Sequence, residues 1–303
     1  MRFAVVGLGQ MGAAVAGLLL ARGHEVAVWN RSPAAREPLA AAGAVPCDEL
    51  AAVWGEADCA LTFLADDAAV DAVLAAADGL LAAAPDGALV IELSTISPEA
   101  SARVAAAAGA RGMHYVRSPV SGNPVVVRAG NLTAITSGPA AALAAAAPYL
   151  EAFTARRFAV GDAEQARVVK LALNILIAST NEALAEAIVL GEAHGVDRGA
   201  LLEVVGGSAV ASPFVGYKSG PLVQRDYTAT FTMTNLVKDL RLTLDAAGRD
   251  GAEALPMSAK LLEIATTAGQ RGLADADISA VVALLQDRAG ATPDLPLDRP
   301  SPA

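Results

Sequence analysis

Histidine and cysteine are scarce in this chain: 303 residues hold three histidines, His24, His114 and His194, and two cysteines, Cys47 and Cys59. The cysteines lack CxxC spacing and the histidines are far apart, so no metal-ligand cluster is expected and both residue types read as filler in a reducing cytoplasm. Positive charge is also short. The net charge is −10 with a pI near 4.8, and no basic stripe interleaved with aromatics occurs, which argues against nucleic acid as a partner. Any anionic ligand must therefore be held by local groups. The hydrophobic fraction of 54% is inflated by alanine, and no run of large apolar residues reaches the roughly 18 that a membrane helix needs, so no membrane association is expected. The first residues enter a strand without a charged leader, an apolar h-region or a cleavage site, and the expected compartment is the cytoplasm.

What is present is organised around Arg2 to Gly12, RFAVVGLGQMG. Phe3 to Val6 reads as a buried parallel strand, and Met11 to Ala21 as an Ala/Leu/Val helix. In the turn between them Gly7 permits the tight bend, Gly9 lets the backbone approach a pyrophosphate, and Gly12 lets the helix pack close to the strand. The pyrophosphate rests on the helix N-terminus, where free N–H groups and the dipole favour an anion. Leu8, Gln10 and Met11 complete this cofactor loop. A second strand, residues 25–29, ends in Asn30, Arg31 and Ser32. A site selective for NAD places an acid about 20 residues after the glycines, whereas an NADP site supplies arginine for the 2′-phosphate. No acid stands here, and a guanidinium and a hydroxyl follow. Against the alternative of a solvated surface arginine, this pattern makes NADPH the expected cofactor.

Short apolar runs then alternate with Ala-rich helical stretches as far as about residue 160, with strands expected at 59–64, 89–93, 113–117 and 132–136. Such alternation means a mainly parallel sheet with helices on both faces, whose ligands lie beyond the carboxyl ends of the strands. Polar or breaker clusters stand at three of those ends: Leu64-Ala65-Asp66-Asp67, Ser94-Thr95-Ile96-Ser97-Pro98, and Ser118-Pro119-Val120-Ser121-Gly122-Asn123. Each is also readable as a helix cap, Ser97 before Pro98 most clearly. After Gly161 the strand signal stops. Residues 163–194 form one helical pattern with Gly191 as its interior glycine, spanning about 45 Å. The fold class is therefore α/β, a doubly wound Rossmann sheet followed by an all-α domain built on a long interdomain helix. The expected domains are 1–161, binding NADP; 162–290, all-α, for substrate and dimerisation; and a proline-rich disordered tail, 291–303. Ser212-Pro213 and Gly220-Pro221 read as loops between later helices.

On the long helix, Lys170, Asn174 and Asn181 lie within about 40° of one another at 100° per residue, amid Leu171, Leu173, Ile175, Leu176 and Ile177. Either a snorkelling lysine and two satisfied amides sit at a domain contact, or Lys170 faces the nicotinamide and exchanges a proton. Lys238-Asp239 on a later helix is, taken alone, an ordinary ion pair. A helix of this length that is apolar around most of its circumference needs a partner subunit to cover it, so a homodimer or a dimer of dimers is expected.

Six motifs in order, GLGQMG at 7–12, LADD at 64–67, STISP at 94–98, PVSGN at 119–123, KLALN at 170–174 and KDL at 238–240, resemble the β-hydroxyacid dehydrogenases typified by 3-hydroxyisobutyrate dehydrogenase and the glyoxylate/succinic semialdehyde reductases. These have a 6-phosphogluconate dehydrogenase-like architecture. The resemblance covers the chain to about residue 290. It implies an oxidoreductase interconverting a small β-hydroxy acid and its semialdehyde or oxo acid. By resemblance Lys170 is the acid/base and Asn174 its hydrogen-bonding companion. Ser121, Gly122 and Asn123 would hold the substrate carboxylate, and Thr95 and Lys238 would contact the cofactor near the nicotinamide, with Leu64 and Ala65 beside it. The chain departs from the family pattern at Arg117-Ser118, where Asp-Ala is usual, at Asn123, and at Glu164 and Ala166, where glycines are usual. Arg117 is either a second cation for a diacid or a residue outside the pocket. Two other readings share the fold, an NADPH-dependent imine reductase and a non-catalytic dinucleotide-binding scaffold. Both usually lose the lysine that this chain keeps.

Overall fold

The structure, a computed structural model, describes residues 1–298. Contacts divide the chain into two units, Met1–Lys170 and Leu171–Ala303.

In the first unit, β1 (Arg2–Val6), β2 (Glu25–Trp29), β3 (Val45–Pro46), β4 (Cys59–Thr62), β5 (Leu89–Glu92) and β6 (His114–Arg117) form one sheet in the order β3-β2-β1-β4-β5-β6. Every neighbouring pair is parallel. Alternate residues of β1 enter opposite cores: Phe3 and Val5 pack on one face with Leu19 and Leu61, while Ala4 and Val6 pack on the other with Val90 and Leu74. Burial on both faces explains why these strands read as continuous apolar runs. The strand order reverses between β1 and β4, and in such sheets the ligand crevice lies beyond the carboxyl ends at the reversal.

Residues 133–136 do not join that sheet. They form β8 (Thr133–Thr136) of a separate three-stranded sheet, between β7 (Val120–Ser121) and β9 (Arg156–Ala159). β9 is Arg-Arg-Phe-Ala and exposed throughout, so it has no apolar periodicity to signal it. An isolated antiparallel bridge, Arg117 to Ser137, ties the end of β6 to the residue that follows β8.

The helix Gln165–Ala193 runs through the boundary between the units. In the second unit its residues Ala178, Leu184, Ala185 and Ile188 join a core shared with Leu240 on Met233–Ala246, Leu261 on Pro256–Ala268 and Val282 on Val281–Arg288. No strand occurs in this unit among the described residues. By length and composition an 18-residue stretch within Gln165–Ala193, with a mean hydropathy of 1.4, is apolar enough to cross a membrane, which the count of large apolar residues did not reveal. It also carries Arg167, Lys170, Glu182 and Glu186, charges that lipid disfavours.

Two further expectations fail in the second unit. Ser212-Pro213 and Gly220-Pro221 are not interhelical loops but belong to the helix Pro213–Gln224, with Pro213 in the first turn and the Ser212 hydroxyl accepting from the Val215 N–H at 3.2 Å. Proline at a first helical position loses nothing, because that N–H has no intrahelical partner anyway. The tail expected to be disordered from 291 is anchored as far as Asp298: Asp294 bonds Arg198 and Gln286, and Leu295 and Leu297 pack against the helical core. Residues 299–303 of that expected tail lie outside the described residues.

Candidate active site

The glycine loop has the geometry its chemistry requires. Gly7 sits at φ +92°, and a Cβ there would lie 2.2 Å from the Phe63 carbonyl oxygen. A Cβ on Gly12 would lie 2.0 Å from the Gly7 carbonyl oxygen, so strand end and helix are too close for any side chain. At Gly9 a Cβ would meet nothing within 4 Å, which leaves the approach to the helix Gln10–Ala21 open. That helix has no side-chain cap and no acid in its first turn, as an anion seat at an N-terminus requires. Asn30 steadies the loop. Its Oδ1 accepts from the Leu8 N–H at 3.0 Å while its Nδ2 donates to the Ser32 carbonyl at 3.2 Å. Arg31 and Ser32 are exposed beside it, and among the described residues Arg31 makes no ion pair. The pyrophosphate and ribose portions of a dinucleotide fit these groups.

The next two loops are tied together. Asp67 accepts from both the backbone N–H (2.9 Å) and the hydroxyl (2.6 Å) of Ser97, and the Ser94 hydroxyl accepts from the Leu64 N–H at 2.7 Å. Ser97 and Asp66 also cap helices, through Ala100 N–H and Ala69 N–H respectively. Thr95 lies between these fixed points, half-buried. Ser121 ends β7, and Gly122 follows at φ +143°, where a Cβ would press on Leu132 and Val126. Asn123 Oδ1 accepts from the N–H groups of Val125 and Val126, both at 3.0 Å. That oxygen therefore serves a cap, and the residue that departs from the family glycine closes the turn.

Two departures from the family pattern turn out to be partners. The guanidinium of Arg117 donates to Glu164 Oε1 through Nε at 2.8 Å and again through Nη2, and it lies 5.2 Å from the centroid of the Tyr115 ring. Its charge is matched by Glu164, so Arg117 is not a spare cation for a diacid.

Beneath these loops lies a pair that sequence reading missed. Arg167, on the turn before Lys170, is fully buried and donates to Glu92 Oε2, to the Ser94 carbonyl at 2.8 Å and to the Ser101 hydroxyl at 3.1 Å. Burial works against the guanidinium charge and Glu92 outweighs it, raising the arginine pKa. Burial likewise pushes the adjacent Tyr115 phenol up to about 12. Glu92 carried a signal of its own: an acid ending the buried strand Leu-Val-Ile-Glu needs a cation.

In the second unit, Asn174 and Lys238 meet on one carboxylate. Asn174 Nδ2 donates to Asp239 Oδ2 at 2.7 Å, and Lys238 Nζ lies 3.0 Å from Asp239 Oδ1. Asp239 is buried, so the pair is not an ordinary surface one. Lys238 also faces a groove of about 520 Å³ with Met233, Thr234 and Arg241. Asn181, by contrast, is a satisfied amide, its Nδ2 donating to the Ile278 carbonyl at 3.0 Å. Lys170 is half-buried, one turn before Asn174 on the same helix.

Known proteins resemble the chain along most of its length. Residues 2–161 match the NAD-binding domain of 6-phosphogluconate dehydrogenase, and residues 165–285 match the NAD-binding domain of NADP-dependent 3-hydroxyisobutyrate dehydrogenase. The chain is 33% identical over 296 residues to the NAD-dependent L-serine dehydrogenase of Pseudomonas aeruginosa, covering 95% of this chain and 99% of the relative. It is 34% identical over 248 residues to the 3-hydroxyisobutyrate dehydrogenase of the same organism, covering 80% and 83%. Among solved structures, Psf3 in complex with NADP+ and 2-OPP superposes with a TM-score of 0.88 at 28% identity, covering 93% of this chain and 99% of that one. The chain belongs to the β-hydroxyacid dehydrogenase family, oxidoreductases that act on hydroxy acids with a nicotinamide dinucleotide.

Proposed function

We propose that the protein is an NADPH-preferring reductase of a small carboxylated aldehyde or oxo acid, or in reverse a dehydrogenase of the β-hydroxy acid, with Lys170 as its general acid/base. One observation carries the reading. A half-buried lysine stands one helical turn before an amide whose orientation Asp239 fixes at 2.7 Å. The nicotinamide supplies the hydride when bound. Charge then develops on the substrate oxygen, where the Lys170 ammonium offsets it and delivers the proton. Asn174, held by Asp239, orients that oxygen. Ser121 and the N–H groups of the turn at Gly122 receive the carboxylate. An NADPH-consumption screen over semialdehydes, 2-oxoacids and cyclic imines tests the assignment. Turnover confined to cyclic imines would replace it with the imine reductase reading. We place the reaction in the cytoplasm, where thiols such as the buried Cys47 and Cys59 stay reduced.

The cofactor preference rests on Arg31. It is exposed beside Ser32, with no acid at the end of β2. NADPH is expected to bind at least tenfold more tightly than NADH, on the order of 1.4 kcal/mol. Arg31→Glu should reverse the order. Fluorescence titration giving equal affinities for the parent would remove the argument.

A second copy of the chain is the proposed cover for the long helix. Val168, Leu176 and Leu190 are 53%, 64% and 65% exposed, and they fall within an arc of about 80°. A large apolar stripe of this kind marks an interaction surface. Light scattering at micromolar concentration should give at least twice the chain mass of 30.4 kDa. A monomer would overturn the proposal.

A further inference from the structure

We propose that the buried Arg167–Glu92 pair is the positioning device for the catalytic lysine, holding the helical turn that carries Lys170 and the loop that carries Thr95 in one register. The inference rests on Lys170 being the acid. Arg167 and Glu92 side chains are 1% and 0% exposed. The guanidinium spreads its donors over separate elements: Glu92 at the end of β5, the Ser94 carbonyl at 2.8 Å in the loop beyond it, Ser101 at 3.1 Å on the helix Pro98–Ala110, and the Tyr115 hydroxyl of β6 at 3.4 Å. The carboxylate gathers the other side. Glu92 Oε1 accepts from the Ser94 N–H at 2.9 Å and from the Thr62 hydroxyl of β4 at 3.4 Å.

Ser94 is thus held through both its N–H and its carbonyl by the two members of one ion pair, and Thr95 is the next residue. Toward the helix, Lys170 follows Arg167 by three residues, about 4.5 Å along the axis and 60° around it. The planar five-donor fork allows few orientations, so fixing it fixes the turn. Residues just before are pinned as well: the Ser137 hydroxyl donates to the Ala163 carbonyl at 2.6 Å and accepts from the Ala166 N–H at 3.2 Å, and Glu164 holds Arg117. Arg167 is the member of this set that lies inside the helix and nearest the lysine. Stability does not account for it, because an apolar pair of similar volume serves a core at least as well as two buried charges. Positional precision does, since a misplacement of about 1 Å can cost roughly 10²-fold in rate.

The test removes both charges together, so that neither is left buried alone. Arg167→Met combined with Glu92→Gln should bind NADPH within a few-fold of the parent yet lower kcat by about tenfold to a hundredfold, on the carbonyl substrate found by the screen above. Arg167→Lys, which keeps the charge and loses the fork, should show the same loss in kcat and covers the case in which the double variant fails to fold. In a Lys170→Ala background the double substitution should change the residual kcat by less than about twofold, because the group it positions is gone. Parental kcat in both the double variant and Arg167→Lys would overturn the inference and leave the Lys170 reading standing, as would an equal loss with and without Lys170. Parental kcat in Lys170→Ala itself would overturn both.

Discussion

Lys170→Ala is expected to lower kcat by roughly 10² to 10⁴, the usual worth of a general acid, while NADPH affinity stays nearly unchanged. The two effects separate because the groups proposed to hold the dinucleotide phosphates are elsewhere, on the glycine loop after β1 and at Arg31. Lys170→Arg should fail almost as badly. A guanidinium keeps the charge but does not give up its proton near neutral pH. Steady-state rates with the preferred aldehyde or oxo acid, set beside cofactor titration by fluorescence, decide the matter. If the alanine variant turned over an aldehyde within a few-fold of the parent, Lys170 would not be the acid, and the imine reductase or scaffold readings would gain accordingly. A large fall in NADPH affinity would instead assign the lysine to the cofactor.

The parts of this site that were legible in sequence are those set by local rules. A strand running into Gly7, Gly9 and Gly12 announces a turn whose geometry only glycine allows, and the structure places two of the three where any side chain would collide with a carbonyl. Ser97 before Pro98 announces a cap, and its hydroxyl makes the capping bond at 3.0 Å. What sequence did not show were partners brought together over long separations. Glu92 and Arg167 are 75 residues apart and Asn174 and Asp239 are 65 apart, so no periodicity links them. Arg117 and Glu164, each odd against the family pattern, make sense only as a pair. Misreadings arose where proline was given one meaning. At Pro213 it opens a helix, and beyond residue 291 it interrupts regular structure without preventing long side chains from packing.

That segment leads to the second large expectation: Asp294→Ala should destabilise the helical unit by about 2–3 kcal/mol, although composition alone marks the residue as part of a loose tail. The Asp294 side chain is 1% exposed. Its Oδ2 accepts from Arg198 at 2.7 Å and from the Tyr227 hydroxyl, its Oδ1 from Gln286 at 3.3 Å, and its N–H donates to Gln286 Oε1 at 2.8 Å. Removing the carboxylate leaves the buried Arg198 with Glu192, which is 26% exposed and a weaker partner. That remaining partner keeps the cost below the full penalty for an isolated buried charge. Burial pushes the Asp294 carboxyl up, and the hydrogen bonds from Arg198 and Tyr227 outweigh it, so the group titrates below the usual aspartate range. A depressed carboxylate stabilises the fold above its unfolded pKa, about 3.9, and that contribution is lost as pH falls through the folded value. The gap in urea midpoint between parent and variant should therefore be full at pH 7 and narrow below about pH 4. Ending the chain after Ala291 should cost more than Asp294→Ala, since Leu295 and Leu297 leave the core with it. Midpoints equal to the parent's at pH 7 for both variants would mean that these contacts do not hold the helices together.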